Sequence, residues 1–385
     1  MAEKETEIYR ELVPYFLHWY DYNARILSWR EEPSAYHTWI SEIMLQQTRV
    51  EAVRGYYDRF LRALPDVKAL AEAPEEQLLK LWEGLGYYSR VRNLQKAAKV
   101  VCAEYDGVLP ADYERLKSLP GIGAYTAGAI ASIAYGIPVP AVDGNVLRVM
   151  NRITGSREDI TKESVKRTLF TELLAVMPKE RPGDFNQAVM DIGATVCVPN
   201  GEPHCSDCPV MHLCKAFRED SWREIPCKPA PKKRKVEKRT VFVIEWQRRY
   251  LLHKRPDKGL LAGLWEMPAA EEKLGSAEAR ARAEELLAGL LPGELPTGRL
   301  TALPPAKHIF SHVEWRMSGY WVSLSGNSES APPERLGESY VFVDAETMQE
   351  RYSLPSAFTA YVSEILRHER EKERPGATSE ENQKG

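Results

Sequence analysis

Four cysteines fall within eighteen residues, Cys197, Cys205, Cys208 and Cys214, in the spacing C-x7-C-x2-C-x5-C. A chain patterned this way folds that stretch around a group the thiolates can hold. Soft sulfur ligands crowded together in a reducing compartment bind zinc or an iron–sulfur cluster. Zinc sites usually pair two short C-x2-4-C knuckles, and one pair here is that close, so the spacing leans toward [4Fe–4S]. The other two cysteines are Cys102, in a helical pattern and expected to be a buried core thiol, and Cys227, with no evident partner. Six cysteines in 385 residues do not make a disulfide scaffold.

The organisation follows from hydrophobic spacing. Residues 7–29 read as one helix carrying Pro14, and residues 34–220 are repeatedly helical, broken at Pro65, Pro74, Gly84-Leu85-Gly86, Pro120-Gly121 and Pro182-Gly183. Residues 226–239 then carry a basic, proline-rich run that reads as an extended linker. Its fragment PKKRKV also has the composition of a nuclear-import signal. Beyond it come β-type runs at 240–246, 250–253, 316–323 and 339–343, with a helical stretch at 276–290, so this half reads as a small α+β domain. Residues 367–385 read as a disordered tail. With 52 Lys+Arg against 55 Asp+Glu the formal charge is -3, so any basic surface must be local. No apolar run approaches the roughly 18 residues of a membrane span. The charged N-terminus MAEKETEIYR lacks an apolar signal region.

Three segments carry candidate chemistry. Leu119-Pro-Gly121-Ile-Gly123, between two helical patterns, reads as a tight hairpin whose backbone amides suit a phosphate. Asp143, in Ala-Val-Asp-Gly-Asn145, precedes a helical pattern and is expected to cap it. A cap carboxylate is fixed in place and stays ionised, as wanted opposite a developing cation. Glu42 falls off the apolar stripe Tyr36, Trp39, Ile40, Ile43, Met44 of its helix. It reads either as a solvated surface residue or as a carboxyl with a raised pKa that acts as a general acid.

Together, SEIMLQQTRV, GLGYYSRVRNLQKAA, LPGIGAYTAGAIASIAYG, AVDGNV and the cysteine group resemble the helix-hairpin-helix DNA glycosylases that carry an iron–sulfur cluster. Within them, LQQT, GLGYYSR, AVDGN and the appended C-terminal domain resemble the adenine DNA glycosylases, the MutY family. The resemblance implies a mainly α helix-hairpin-helix glycosylase domain over 1–226, with a six-helix-barrel part at about 30–136. A cluster module would come from the N-terminal helix and about 137–226. A linker at 227–238, an α+β Nudix-like lesion-recognition domain at 239–366 and a tail at 367–385 complete the expectation.

The same resemblance implies roles. Glu42 would protonate adenine N7 and Asp143 would stabilise the oxocarbenium ion, with Asn145 beside it. Tyr125 stands where lyase-type relatives carry a Schiff-base lysine, which implies a monofunctional enzyme that uses water. Gln47 and Tyr87 would enter the duplex beside the lesion, Thr48 would bind the DNA, and Gly121 and Gly123 would hold its backbone. Arg30, Leu45 and Gln187 would line the adenine pocket. Cys197, Cys205, Cys208 and Cys214 would ligate a [4Fe–4S] cluster, although the first gap holds seven residues where the family usually has six. In the C-terminal half, GLLAGLWEMPA and HIFSHVEWRM resemble the Nudix-like domain of the family, whose loop Phe310-Ser311-His312 would read 8-oxoguanine. The expected substrate is double-stranded DNA with adenine opposite 8-oxoguanine or guanine. The expected protein is a monomer in the bacterial cytoplasm, associated with the nucleoid, with no membrane contact and with repair or replication proteins as partners at the linker. The alternatives are an endonuclease III-type glycosylase/lyase acting on oxidised pyrimidines, a non-enzymatic iron–sulfur DNA-binding protein, and a nucleotide pyrophosphohydrolase. The last is disfavoured because Glu284 and Glu285 remain of the magnesium box without its Arg-Glu pair.

Overall fold

The computed structural model describes residues 2–230, 233–291, 297–325 and 332–373. It divides into two units, Met1–Ala73 with Ser89–Ala230, and Pro74–Tyr88 with Pro231–Gly385.

The first unit is helical. The expected helix at 7–29 is two elements, Ala2–Asn23 and Ser28–Glu31, and Pro14 is accommodated inside the first. The interruption places Leu27 and Trp29 in the core and leaves Ile26 83% exposed. One core cluster joins Leu12 and Phe16 of the N-terminal helix to Val146, Val149 and Met150 of helix Gly144–Thr154 and Phe185 of helix Pro182–Thr195. A second packing runs between helices Ala35–Leu45 and Ala124–Tyr135. The small residues Ala127, Gly128, Ala129 and Ala131 line the latter, which lets backbones approach: a Cβ on Gly128 would stand 2.4 Å from the Pro140 carbonyl oxygen. Buried Asn186 anchors the segment leading to Asp143. Its Oδ1 accepts from Ala141 N at 3.0 Å, and its Nδ2 donates to Ser132 Oγ and the Val139 carbonyl. A buried amide with both donors and its oxygen engaged favours one loop geometry.

Two expectations fail in this unit. Cys102 is half-buried on its helix rather than enclosed in the core. Cys227 is not in an extended linker: its carbonyl accepts from Ile160 N at 3.1 Å and its backbone bridges to Asp159, so the helical unit continues through it.

The second unit is built on a sheet with eight strands among the described residues: β1 (Lys235–Trp246), β2 (Arg249–Lys254), β3 (Trp265–Glu266), β4 (Ala269–Ala270), β5 (Thr297–Ile309), β6 (Val313–Ser325), β7 (Arg335–Leu336) and β8 (Tyr340–Val343). The order is β5-β6-β1-β2-β8-β7, with β3 on β2 and β4 on β1. The β1–β6 pair is parallel and the others are antiparallel. Period-two alternation sends Val241 and Val243 to a core shared with Tyr361 and Ile365 of helix Thr359–Glu373. It sends Phe242 and Ile244 to a core shared with Ala279, Ala283 and Leu287 of helix Ser276–Leu290.

Several boundaries move. β1 begins at Lys235, inside the expected linker. The last helix runs to Glu373, so residues 367–373 are ordered rather than part of a tail, held by Arg248 and Tyr250 on Glu369. Residues 374–385 lie outside the described residues. β5 escapes the sequence reading because Pro304-Pro305 sits within it. The register slips there, between Leu303 and Ala306, and a bulge is where a sheet tolerates proline. Segment Pro74–Tyr88 groups with this unit: Ser353 Oγ donates to the Leu79 carbonyl at 3.1 Å and Leu354 N to Glu83 Oε1 at 2.6 Å.

Candidate active site

The carboxylate pocket lies in the helical unit, and local signals place its parts. Ser34 caps helix Ala35–Leu45 by accepting from His37 N, and Arg90 closes its other end, with Nη1 on the carbonyls of Ile43, Met44 and Gln46 at 2.6–3.2 Å. A cation on the last carbonyls of a helix is favourable both as a cap and for the macrodipole. Glu42 is therefore held on a helix fixed at both ends. It is 7% exposed, which removes the solvated-surface reading.

Helix Ala124–Tyr135 brings Tyr125 opposite, and its hydroxyl donates to Glu42 Oε2. The Tyr125 hydroxyl also lies 3.9 Å from Met190 Sδ. Asp143 caps helix Gly144–Thr154, with Oδ1 accepting from Val146 N at 2.7 Å and Oδ2 from Asn145 Nδ2 at 2.9 Å. The capping expectation and the catalytic one thus coincide at one side chain.

The electrostatics follow from burial. Burial pushes the Glu42 carboxyl up to about 7; the Tyr125 hydrogen bond opposes this, and the Asp143 charge adds to it. Asp143 is also raised by burial, against the hydrogen bonds from Val146 and Asn145 that favour its charged form. Tyr125 is raised well above its ordinary range, by burial and then by the Glu42 charge, so it stays a neutral donor. Near neutrality Glu42 carries its proton about half the time, a poise suited to general-acid work. Tyr125→Phe removes the hydrogen bond that favours the carboxylate. It is expected to move the alkaline limb of the pH–rate profile to higher pH, measured by single-turnover excision across pH 6 to 9.

Arg30 is fixed by a carboxylate that sequence reading missed. Its Nη1 and Nη2 donate to the two oxygens of fully buried Asp191 at 2.7 and 2.9 Å, and Arg25 Nε joins them at 2.7 Å. Burial alone would raise Asp191; the two guanidiniums outweigh it and hold the carboxyl below its usual range. Gln187 is half-buried one turn before Asp191 on the same helix face, and Leu45 is half-buried at the end of the Glu42 helix.

Gln47 and Tyr87 share a feature that no motif announced. Both are exposed and both are non-glycine residues with positive φ, 59° and 48°. Such a backbone costs roughly 1 kcal/mol or more and collects at functional positions. Thr48 N closes the turn onto the Leu45 carbonyl at 3.2 Å. Gly121 takes φ +75°, and a Cβ there would stand 2.6 Å from Asn93 Cβ, while Gly123 is the exposed N-cap of helix Ala124–Tyr135. In the second unit, Ser311 and Tyr87 hydroxyls are 2.5 Å apart, and Phe310 packs edge-on against buried Trp315 at 4.8 Å between ring centroids. His312 is exposed at the turn between β5 and β6.

The four cysteines line one cavity with Val149, Ile153, Ile192 and Trp222. Among the described residues no group of three or more His, Cys, Asp or Glu is gathered as ligands of a single metal ion, yet the thiols share this cavity. Four soft thiols lining one cavity are the donor set that zinc or an iron–sulfur cluster uses. Burial pushes Cys208 up to about 12 and raises Cys205 and Cys214, so thiolates there need a cationic group to form. Arg152 Nη1 reaches Cys197 Sγ at 3.3 Å. Within the seven-residue first gap the chain turns at Gly201, φ +80°, and His204 N returns to the Val196 carbonyl at 2.9 Å. Helix Gly144–Thr154 connects this cavity to the carboxylate pocket. Arg148 donates to the carbonyls of Cys197 and Gly193 and to Asn145 Oδ1, and Asn145 holds Asp143.

Two family models match the chain, one in each half. Residues 40–173 match the HhH-GPD superfamily base excision DNA repair protein model, and residues 240–364 match a NUDIX domain. Adenine DNA glycosylase from Mus musculus is 38% identical over 371 residues, covering 82% of this chain and 72% of its own length. The Homo sapiens protein of that name is 36% identical over 374 residues, covering 82% and 68%. This chain belongs to the adenine DNA glycosylase family. A solved thermostable thymine-DNA glycosylase is also similar, at 27% identity and TM-score 0.50, over 56% of this chain and 98% of its own. The glycosylase thus joins a helix-hairpin-helix repair domain to a Nudix-like one, as its motifs implied. In the Nudix-like unit Glu285 pairs with Arg282 at 2.8 Å and Glu284 is exposed, so neither acid is gathered into a metal box.

Proposed function

We propose that the enzyme hydrolyses the N-glycosidic bond of adenine mispaired with 8-oxoguanine, or with guanine, in duplex DNA. The observation that carries this reading is the buried pair of carboxyls with split duties, Glu42 raised to about 7 beneath Tyr125 and Asp143 fixed by Val146 and Asn145. A base inside a duplex must be extruded to be reached, and exposed Gln47 and Tyr87 suit the wedge. Glu42 gives its proton to adenine N7, and the C1′–N9 electrons leave with the base. Asp143 faces the oxocarbenium-like sugar. Water adds its oxygen to C1′ and its proton to a carboxylate, which restores the acid. Tyr125 at the position of the lyase lysine supports monofunctional hydrolysis, because imine formation needs an amine. Borohydride should therefore trap no enzyme–DNA adduct. Phe310, Ser311 and His312 supply a stacking face and hydrogen-bonding groups suited to the opposite base.

The cysteine cavity fits a [4Fe–4S] cluster, which Cys197, Cys205, Cys208 and Cys214 would ligate. Bound there, such a group supplies the positive charge that thiolates in this apolar cavity require. Iron and acid-labile sulfide near four of each per chain are expected. Cys208→Ser should lose much of both and lower the melting temperature, while a single zinc per chain would refute the cluster. The reading places the protein in a bacterial cytoplasm at the nucleoid.

A further inference from the structure

The basic run that reads as a linker is built into the sheet beside the loop Phe310–His312. Arg234 Nε donates to the Phe310 carbonyl at 3.2 Å, and Lys235 N donates to the His312 carbonyl at 3.2 Å. From there β1 and β6 run parallel in register, Lys235 beside Val313 and Lys238 beside Arg316. On the far side of β6, Arg316 pairs with Lys307 of β5. Lys238, Arg316 and Lys307 thus form one cross-strand row on one face, and all three are exposed. Like charges directly opposite one another weaken a sheet. Arg316 leans on Glu314 at 2.8 Å, and the Glu314 carboxyl is held below its usual range first by that hydrogen bond and then by the charges of Arg316, Lys307 and Arg234. The charges of strand, hairpin and linker converge on the approach to the loop. The fold gains nothing from such a row, and the chain as a whole is slightly acidic.

We propose that Lys238, Arg316 and Lys307, with Lys233 and Arg234 at their end, form a phosphate track. The track grips the backbone of the duplex flanking the base that the Phe310–His312 loop reads. The proposal rests on the reading of that loop given above. Basic side chains on phosphates supply affinity without sequence information and hold a reading loop in place while its own contacts discriminate. Arg234 Nε ties the loop, and the Arg234 charge is felt by Glu314 on the neighbouring strand.

The test is binding of the full-length protein, by fluorescence anisotropy over a salt series, to an undamaged duplex and to one carrying 2′-fluoroadenosine opposite 8-oxoguanine. Lys238→Ala/Lys307→Ala is expected to make the slope of log affinity against log salt shallower by roughly 1 to 2. It should weaken both duplexes by the same factor, roughly tenfold at moderate salt, and leave the melting temperature unchanged or raised, because the row's repulsion is relieved. Lys233→Ala should act in the same direction. Phe310→Ala should abolish the preference for the 8-oxoguanine duplex and leave the slope intact. Unchanged slopes in Lys238→Ala/Lys307→Ala and in Lys233→Ala would overturn the proposal. A wild-type protein without preference for the 8-oxoguanine duplex, yet with the slope change in its variants, would sink the loop reading and leave the track standing.

Discussion

Glu42→Gln is expected to lower single-turnover excision by about 100-fold to 10,000-fold and, at pH 8, to make the protein more stable. The loss of rate follows because the amide has no proton to give to the base. The gain in stability follows from linkage. Glu42 has a folded pKa of about 7, above the 4.5 of an unperturbed glutamate, so the folded state binds this proton more tightly than the unfolded state does. Stability therefore falls as pH rises from about 4.5 to about 7, and above that the whole penalty, as much as ~3 kcal/mol, is in force. Glutamine has the same shape and no charge to bury. Its advantage should be largest near pH 8 and should shrink toward zero below about pH 4, where Glu42 is protonated in both states. At pH 8 a rise in melting temperature of roughly 5–10 °C is the corresponding signal. Equal melting temperatures at pH 5 and pH 8 would mean that Glu42 ionises as an ordinary surface acid, and the general-acid role would lose its physical basis.

Asp143→Asn and Asp143→Ala should part company. Asparagine caps a helix as well as aspartate does, so Asp143→Asn keeps the bond from Val146 N, whereas Asp143→Ala should cost about 1 kcal/mol in helix capping. Both remove the negative charge that faces the sugar as it becomes cationic. Both should lose about 100-fold to 1,000-fold in excision rate, in proportion to the electrostatic stabilisation removed. Because Asp143 is itself raised by burial, the neutral asparagine also relieves a cost that grows with pH, and the variant should match or exceed the parent in stability above neutral pH. An Asp143→Asn protein with normal rate and normal stability would reduce Asp143 to a cap.

The candidate site residues were legible because short motifs carry them. LQQT, LPGIG, AVDGN, FSH and the cysteine spacing are local patterns, and the hairpin, the cap and the helix 276–290 formed where local rules put them. What escaped is what depends on contacts far apart in sequence. Asp191 holds Arg30 across 161 positions, and nothing in the spacing of either residue marks the pair. Asn186 reads as an unremarkable helical amide until the Ala141 loop lies against it. Glu42 could be read as exposed or as buried from its helix alone, because the Tyr125 hydroxyl that meets its carboxyl comes from 83 residues away. Pro304-Pro305 hid β5, since a bulge is a property of the partner strand as much as of the sequence. The basic run was read by composition as a linker, and its parallel pairing with β6 pulled Lys235 into the sheet.

The central claim is that this chain removes adenine by hydrolysis and senses the base opposite. The most direct test is single-turnover excision on duplexes holding A opposite 8-oxoguanine, G, T or C, with T opposite G alongside, each sample split between alkali and no alkali. Strand breaks that appear only after alkali, fastest for A opposite 8-oxoguanine, are the predicted result. Breaks without alkali, or excision of thymine in place of adenine, would contradict it.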